Sequence, residues 1–375
     1  MARLLEAVLV LPVLEVNKVW GDESEFSDIF DDKIFKETLR DDVHVVSSLP
    51  ASHLRRRPAA PPAMPFNMDE KWIRANLMGK LNKVGILILR GFDSRLSKDL
   101  NPDLQKLRCK VAFHALKFRS WIEEIGEKLA KRMGKGGPYM ALHLRLEKDV
   151  WVRTGCLPGL GDDTDLKIEM ERKNHPELLT SRSNMTAQDR YIAGLCPLNA
   201  FEIFRLLKGL GASKRTRIYW AGGEPFGGDT ALEPLVSHFP YMYNKWSLAG
   251  AGELDKLKQK PSILAAIDYI VCLKSHVFMA NHGGNMARSL QGHRAYDGHR
   301  KHITPNKRQL VQLLMNKSLS EVEMEKEIKM IHVGSLGSPL LRTDKPGRDV
   351  IAFPVPECMC SQRDHLQSRS DSNSV

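Results

Sequence analysis

Two stretches of this chain carry side chains whose types and spacing could do chemistry. Residues 139–153 read YMALHLRLEKDVWVR, a short apolar run that presents His143 and Arg145 and then Glu147, Lys148 and Asp149. In residues 268–300, a second apolar run leads through Val277-Phe278-Met279 into the turn Asn281-His282-Gly283-Gly284-Asn285. A helix-like segment with Arg288, His293 and Arg294 follows. A strand that stops on His and Arg is how an open α/β sheet builds a polar crevice at its carboxyl edge. Glycines let a backbone approach an anion closely, and a helix N-terminus adds free N–H groups and positive potential. One arginine at a strand end facing one Gly-rich turn suggests a diphosphate site.

Arg145 is the catalytic candidate. A planar guanidinium in a desolvated crevice can stabilise charge developing on a phosphate through two parallel hydrogen bonds. The competing reading is a surface arginine paired with Glu147 or Asp149. His143, two residues earlier, shares a strand face with it. Asp268 lies between Ala265-Ala266-Ile267 and Tyr269-Ile270-Val271, where a carboxylate is costly unless paired or hydrogen-bonded. It could accept from the adjacent N1–H and N2–H of guanine, or serve as a structural aspartate. Arg288, Arg294 and Arg300 are either phosphate contacts or part of a solvated face. No general base can be named.

The elements that must position these groups follow from periodicity. Residues 2–6 end a helix, 7–12 form a buried strand, and 43–47 a second strand. Residue 35 begins a helix, 48–65 form a Pro-rich loop, and 68–81 are helical. Residues 85–89 read as a short buried strand, and 104–111 and 116–133 as helices. After a linker at 134–138, strands are expected at 140–144, 217–221 and 277–280. Helices are expected at 199–210, 230–239, 262–271 and 285–291, with a charged, partly helical insertion at 162–176. That alternation predicts a parallel, doubly wound sheet. The expected division is a domain at 1–135, a second at 136–360, and a Ser- and Arg-rich disordered tail at 361–375.

With 375 residues and 42% hydrophobic content, the chain can build two α/β cores. It holds no apolar run of about 18 residues, so no membrane span is expected. The net charge of +11 is dispersed. Without a basic module interleaved with aromatics, it argues against a nucleic-acid partner and in favour of an anionic small substrate. The spacings of Cys109, Cys156, Cys196, Cys272, Cys358 and Cys360 match no zinc pattern. Disulfides among Cys156, Cys196 and the terminal pair fit an oxidising lumen, with connectivity left open. Asn184 and Asn316 head glycosylation sequons. The carboxylates of residues 17–31 read as an exposed acidic loop, and no metal is expected.

The ordered series HLR at 143–145, GDESEFSDIFD at 21–31, CPLNAFEIFRLLKGLG at 196–211, RIYWAGGEPFGG at 217–228, PGRDV and PVPECMC resembles the plant O-fucosyltransferase family, over residues 2–360. The resemblance implies two Rossmann-like domains facing a cleft, of the GT-B type, with the first incomplete because the chain begins inside the family's first helix. It also implies metal-independent inverting transfer from GDP-fucose, without a cofactor, to a protein or cell-wall glycan hydroxyl in the Golgi lumen. UDP-rhamnose as donor and a non-catalytic binding remnant are the alternatives. Carried over by position, Arg145 binds the donor diphosphate and is needed for catalysis. His143 and Leu144 join it at the donor, Asp268 faces the nucleotide, and Gly284, Asn285 and Met286 close over the phosphates. His282-Gly283 stands where many members have Tyr-Asp.

Overall fold

The computed structural model describes residues 1–14, 16, 21–65, 67–90, 96, 100–179, 184–299, 301–337, 342 and 349–359. Cys360, Arg300 and the tail at 361–375 lie outside them. Two sheets form. The smaller pairs β1 (Leu9–Val10) with β2 (Val45–Val46) in parallel. The larger is built from β3 (Met140–His143), β4 (Ile218–Ala221), β5 (Met242–Tyr243), β6 (Val277–Ala280), β7 (His302–Ile303) and β8 (Leu336–Gly337), in the order β5-β4-β3-β6-β7-β8. All its pairings are parallel except the last.

The register of the central strands explains the layering. Ala141 lies opposite Tyr219 and Phe278, whereas Leu142 lies opposite Trp220 and Met279. Successive strand side chains point to opposite faces. The first set therefore packs into one core with the helices Ser120–Gly134 and Pro261–Leu273. The second packs into another, with Ala200–Gly209, Lys307–Met315 and Glu321–His332. Strands covered on both faces read as continuous apolar runs, which is why 140–144 and 277–280 were legible. Residues 1–119 build smaller cores, around Leu4, Met68, Ile73 and Leu77 and around Phe26, Phe35, Leu39 and Ala115. Where a Rossmann-like half was expected, the only ladder among their described residues is β1–β2.

Ser120–Gly134, N-terminal to the division expected at 135, lies directly on Pro261–Leu273. A Cβ on Gly126 would stand 2.7 Å from Ile270 Cβ. Gly126→Leu is expected to lower stability by about 1–3 kcal/mol, the usual cost of forcing extra methylenes into a packed interface. An unchanged urea midpoint would show that this helix pair is loosely packed.

Several local expectations give way. The strand at 85–89 shrinks to one bridge between Ala59 and Leu87, because Gly85 ends the preceding helix with φ +84° and little partner backbone lies alongside. The helix at 230–239 reduces to a 3₁₀ turn and the single turn Glu233–Val236, interrupted by Pro234. Residues Asp162–Asn174 are helical throughout. Asp22, placed in an exposed acidic loop, is 4% exposed. Its carboxylate accepts from the backbone N–H groups of Ser24 and Ser262, tying the N-terminal segment to the start of Pro261–Leu273.

Candidate active site

In the strand order, the chain steps from β3 to β4 and β5 on one side and then crosses to β6 on the other. The carboxyl ends of β3 and β6 therefore flank a topological switch point, where loops diverge and leave a crevice. His143 of β3 lies in register with Ala221 and Ala280. Three segments leave the same edge: Leu144-Arg145, Gly222-Gly223 and Asn281–Gly284. The expected partners, the strand end with Arg145 and the Gly-rich turn, thus sit side by side.

Asn281 joins them. It is fully buried. Its backbone N–H donates to His143 O at 3.1 Å, and its Oδ1 accepts the backbone N–H of Arg145 at 2.7 Å. Its Nδ2 donates to Leu198 O at 2.8 Å, and Leu198 N–H returns a bond to Asn281 O at 3.2 Å. The sequence placed Asn281 in the turn but gave it no role. A polar residue directly after a buried strand was the available signal.

The Arg145 side chain is one-quarter exposed. Nε donates to Glu147 Oε2 at 3.2 Å and Nη2 to Asp149 Oδ2 at 3.0 Å. Glu147 Oε1 in turn accepts from Gly223 N–H at 2.8 Å. The pairing foreseen for a surface arginine is therefore present, with both carboxylates on the segment that leaves β3 at this edge. A guanidinium carries five N–H donors, so two bonds orient it and leave others to meet an anion. Gly222 at φ +148° lets the loop pass under β3: a Cβ there would stand 2.4 Å from the Leu144 carbonyl oxygen.

His143 is 4% exposed, and its Nδ1 is buried with no hydrogen-bond partner among the described residues. Burial, reinforced by Arg145, pushes its pKa down to about 3, so the ring is neutral. His282 follows the same logic: burial, with Lys307 and Arg145 nearby, brings it to about 4. Gly283, Gly284 and Asn285 are exposed and Met286 is half-buried. The helix Asn285–Tyr296 begins at Gly284 without a side-chain cap. A Cβ on Gly283 or Gly284 would meet nothing within 4 Å, and neither glycine is in the left-handed region, Gly284 being extended at φ 172°.

Three of the named side chains are engaged or buried inside the protein. Asp268 has internal partners for both carboxylate oxygens. It is 2% exposed in mid-helix, with Oδ1 accepting from Tyr219 Oη at 2.6 Å. Its Oδ2 accepts from Lys245 Nζ at 2.7 Å and Gly222 N–H at 3.2 Å. Lys245, 5% exposed, also donates to Gly222 O at 2.7 Å, so the pair holds up the loop after β4. The side chain of Leu144 is 1% exposed in the core and can reach a ligand only through its backbone. Arg294 is neither a phosphate contact nor on a solvated face. It is 1% exposed and donates to the carbonyls of Cys272, Leu273 and Ser275 at 2.6–3.0 Å, closing the C-terminus of Pro261–Leu273. Arg288 is exposed.

Among the described residues the disulfides are Cys156–Cys196 and Cys109–Cys358, and Cys272 is buried and reduced. A cavity of about 680 Å³, lined among others by Thr38, Lys106, Lys110 and His114, shares no residue with the crevice. Among the described residues no helix is long and apolar enough to cross a membrane.

Sheet and crevice together define a doubly wound α/β protein with a polar, basic site at its switch point. The family model described as GDP-fucose protein O-fucosyltransferase matches residues 1–297, and the chain belongs to that family. It is 58% identical over 370 residues to O-fucosyltransferase 20 of Arabidopsis thaliana, covering 99% of this chain and 65% of that protein. It is 59% identical over 361 residues to O-fucosyltransferase 24 of the same plant, covering 96% and 62%. The chain thus spans just under two thirds of the length of these relatives. A crystal structure of POFUT1 in complex with GDP is similar at 13% identity and a TM-score of 0.40, over 80% of this chain and 90% of that one.

Proposed function

We propose that this chain is a fucosyltransferase that binds GDP-fucose across the β3/β6 switch point. It passes the sugar to a protein or cell-wall glycan hydroxyl, with inversion and without a metal ion. The observation that carries this reading is the placement of Arg145 beside the Gly283-Gly284 turn, in a chain belonging to a family described by that donor. The protein's own packing does not require glycine at 283 or 284. Glycine there suits a backbone that a diphosphate must approach closely. The unpartnered Nδ1 of His143 is a buried polar atom whose desolvation a ligand contact would offset.

In the transfer, the acceptor oxygen bonds to the anomeric carbon as the bond from that carbon to the β-phosphate oxygen breaks. Its electron pair leaves with GDP, and the hydroxyl proton passes to a base. The guanidinium of Arg145, aimed by Glu147 and Asp149, stabilises charge growing on that phosphate. In this reading a GT-B cleft lies between the donor half and an acceptor half. The acceptor half would end before Ser120, since Ser120–Gly134 packs with the large sheet. The two disulfides and the exposed Asn184 and Asn316 support a Golgi-lumen setting.

With Asp268 engaged internally, preference for guanine rests on the family alone. Titration calorimetry of the full chain with GDP and UDP tests it. GDP is expected to bind at least about tenfold more tightly, a difference of roughly 1.4 kcal/mol. Equal or reversed affinities would sink the GDP-fucose reading and favour a UDP-rhamnose donor. Tight GDP binding without transfer would favour a non-catalytic remnant.

A further inference from the structure

His282 stands on the crevice turn between the locked Asn281, just after β6, and the open Gly283-Gly284 backbone. Its Nδ1 lies 3.5 Å from Lys307 Nζ. Lys307 is itself held, donating to Cys196 O at 2.6 Å, on a segment tied down by the Cys156–Cys196 disulfide and by the two-way pairing of Leu198 with Asn281. An ammonium is donor-only. The nitrogen that faces it must therefore offer a lone pair, and the one proton of a neutral imidazole must sit on the other nitrogen. Burial keeps His282 neutral, while Lys307, although brought down to about 8, stays predominantly charged at neutral pH with Glu202 favouring the charge.

We infer that Lys307 fixes His282 as the Nε2–H tautomer, making His282 a dedicated hydrogen-bond donor to a phosphate oxygen of the sugar donor's diphosphate, with Lys307 as its positioning residue. This rests on the donor site proposed above. It also assigns a negative role: with Nδ1 facing an ammonium and Nε2 protonated, His282 cannot accept the acceptor hydroxyl's proton and is not the base. Its electrostatic neighbours fit an anion site. Arg145 acts on it directly, and His143 in turn feels both Arg145 and His282. One guanidinium and two neutral imidazoles thus lie at the sheet edge that also carries a bare helix start.

The test uses the full chain, with GDP as the probe. Calorimetry should show GDP binding about tenfold weaker in His282→Phe, with a smaller loss in His282→Gln, which keeps a side-chain N–H. In the His282→Phe background, Lys307→Met should add less than about a threefold further loss, because it acts through the ring. Nitrogen-15 NMR of histidine-labelled wild-type protein should report His282 with Nδ1 unprotonated and Nε2–H, and that bias should disappear in Lys307→Met. An Nδ1–H tautomer in the wild type, or wild-type GDP affinity in His282→Phe, overturns the inference. Arg145→Ala separates the two levels. If it abolishes GDP binding while His282→Phe does not, only the role of His282 fails. If neither variant weakens GDP, the donor site fails with it.

Discussion

Arg145→Lys is expected to lose roughly a hundredfold or more in kcat while folding normally. The position keeps its positive charge, so a loss of that size would come from geometry. Lysine is a compact point charge, whereas guanidinium offers a planar fork that can hold two phosphate oxygens at once. In this protein the fork is aimed: Glu147 takes Nε, Asp149 takes Nη2, and Glu147 is fixed by Gly223 N–H. An ammonium at the end of a flexible stem would settle on one of these carboxylates and leave the phosphate poorly served. Removing a single preorganised donor from a developing anion typically costs 10²–10³ in rate. The measurement is fucose transfer, or donor hydrolysis, from GDP-fucose, with a urea midpoint to confirm folding. A lysine variant turning over near the wild-type rate would remove Arg145 from the mechanism.

What the sequence made legible here has a common physical origin. Strands β3, β4 and β6 are central, covered on both faces, and so spelled out as short apolar runs closed by turn residues. Their polar exits, His143-Leu144-Arg145 and the 281–284 turn, then stood out by contrast. The outer strands Met242–Tyr243, at the sheet edge, and His302–Ile303, next to the last strand, are two residues long and carry no such signature. The roles that escaped are those that depend on register between distant segments. Asn281 receives its function from directly following the residue level with His143, and Lys245 meets Asp268 only because the loop after β5 returns beneath β4. Arg294 read as a phosphate contact or as part of a solvated face because basic residues cluster after the glycine turn. The helical phase instead turns it inward, onto carbonyls some twenty positions earlier. Local pattern shows which segments meet water or core, but not which buried polar group will answer which.

Asp268 is where that distinction has its largest consequence. Its carboxylate and the Lys245 ammonium form a pair with side chains only 3% and 6% exposed. Removing one partner of such a pair strands a buried charge, which typically costs about 3–5 kcal/mol. Asp268→Ala is therefore expected to lower the unfolding free energy read from urea denaturation by that much, since Lys245 would keep only the Gly222 carbonyl, and Tyr219 would lose its hydroxyl acceptor. The double variant Asp268→Leu with Lys245→Met should recover most of the loss, because apolar replacement of both members of a buried pair is often close to neutral. A nucleotide-contacting Asp268 would behave differently. Its removal would leave stability within about 1 kcal/mol of wild type and selectively weaken GDP relative to UDP. The loop after β4 also forms one wall of the crevice through Gly222 and Gly223. For that reason the double variant, refolded and stable, is expected to bind GDP less tightly than wild type while keeping the same preference between nucleotides. Restored stability with a collapsed GDP preference would return Asp268 to the nucleotide site.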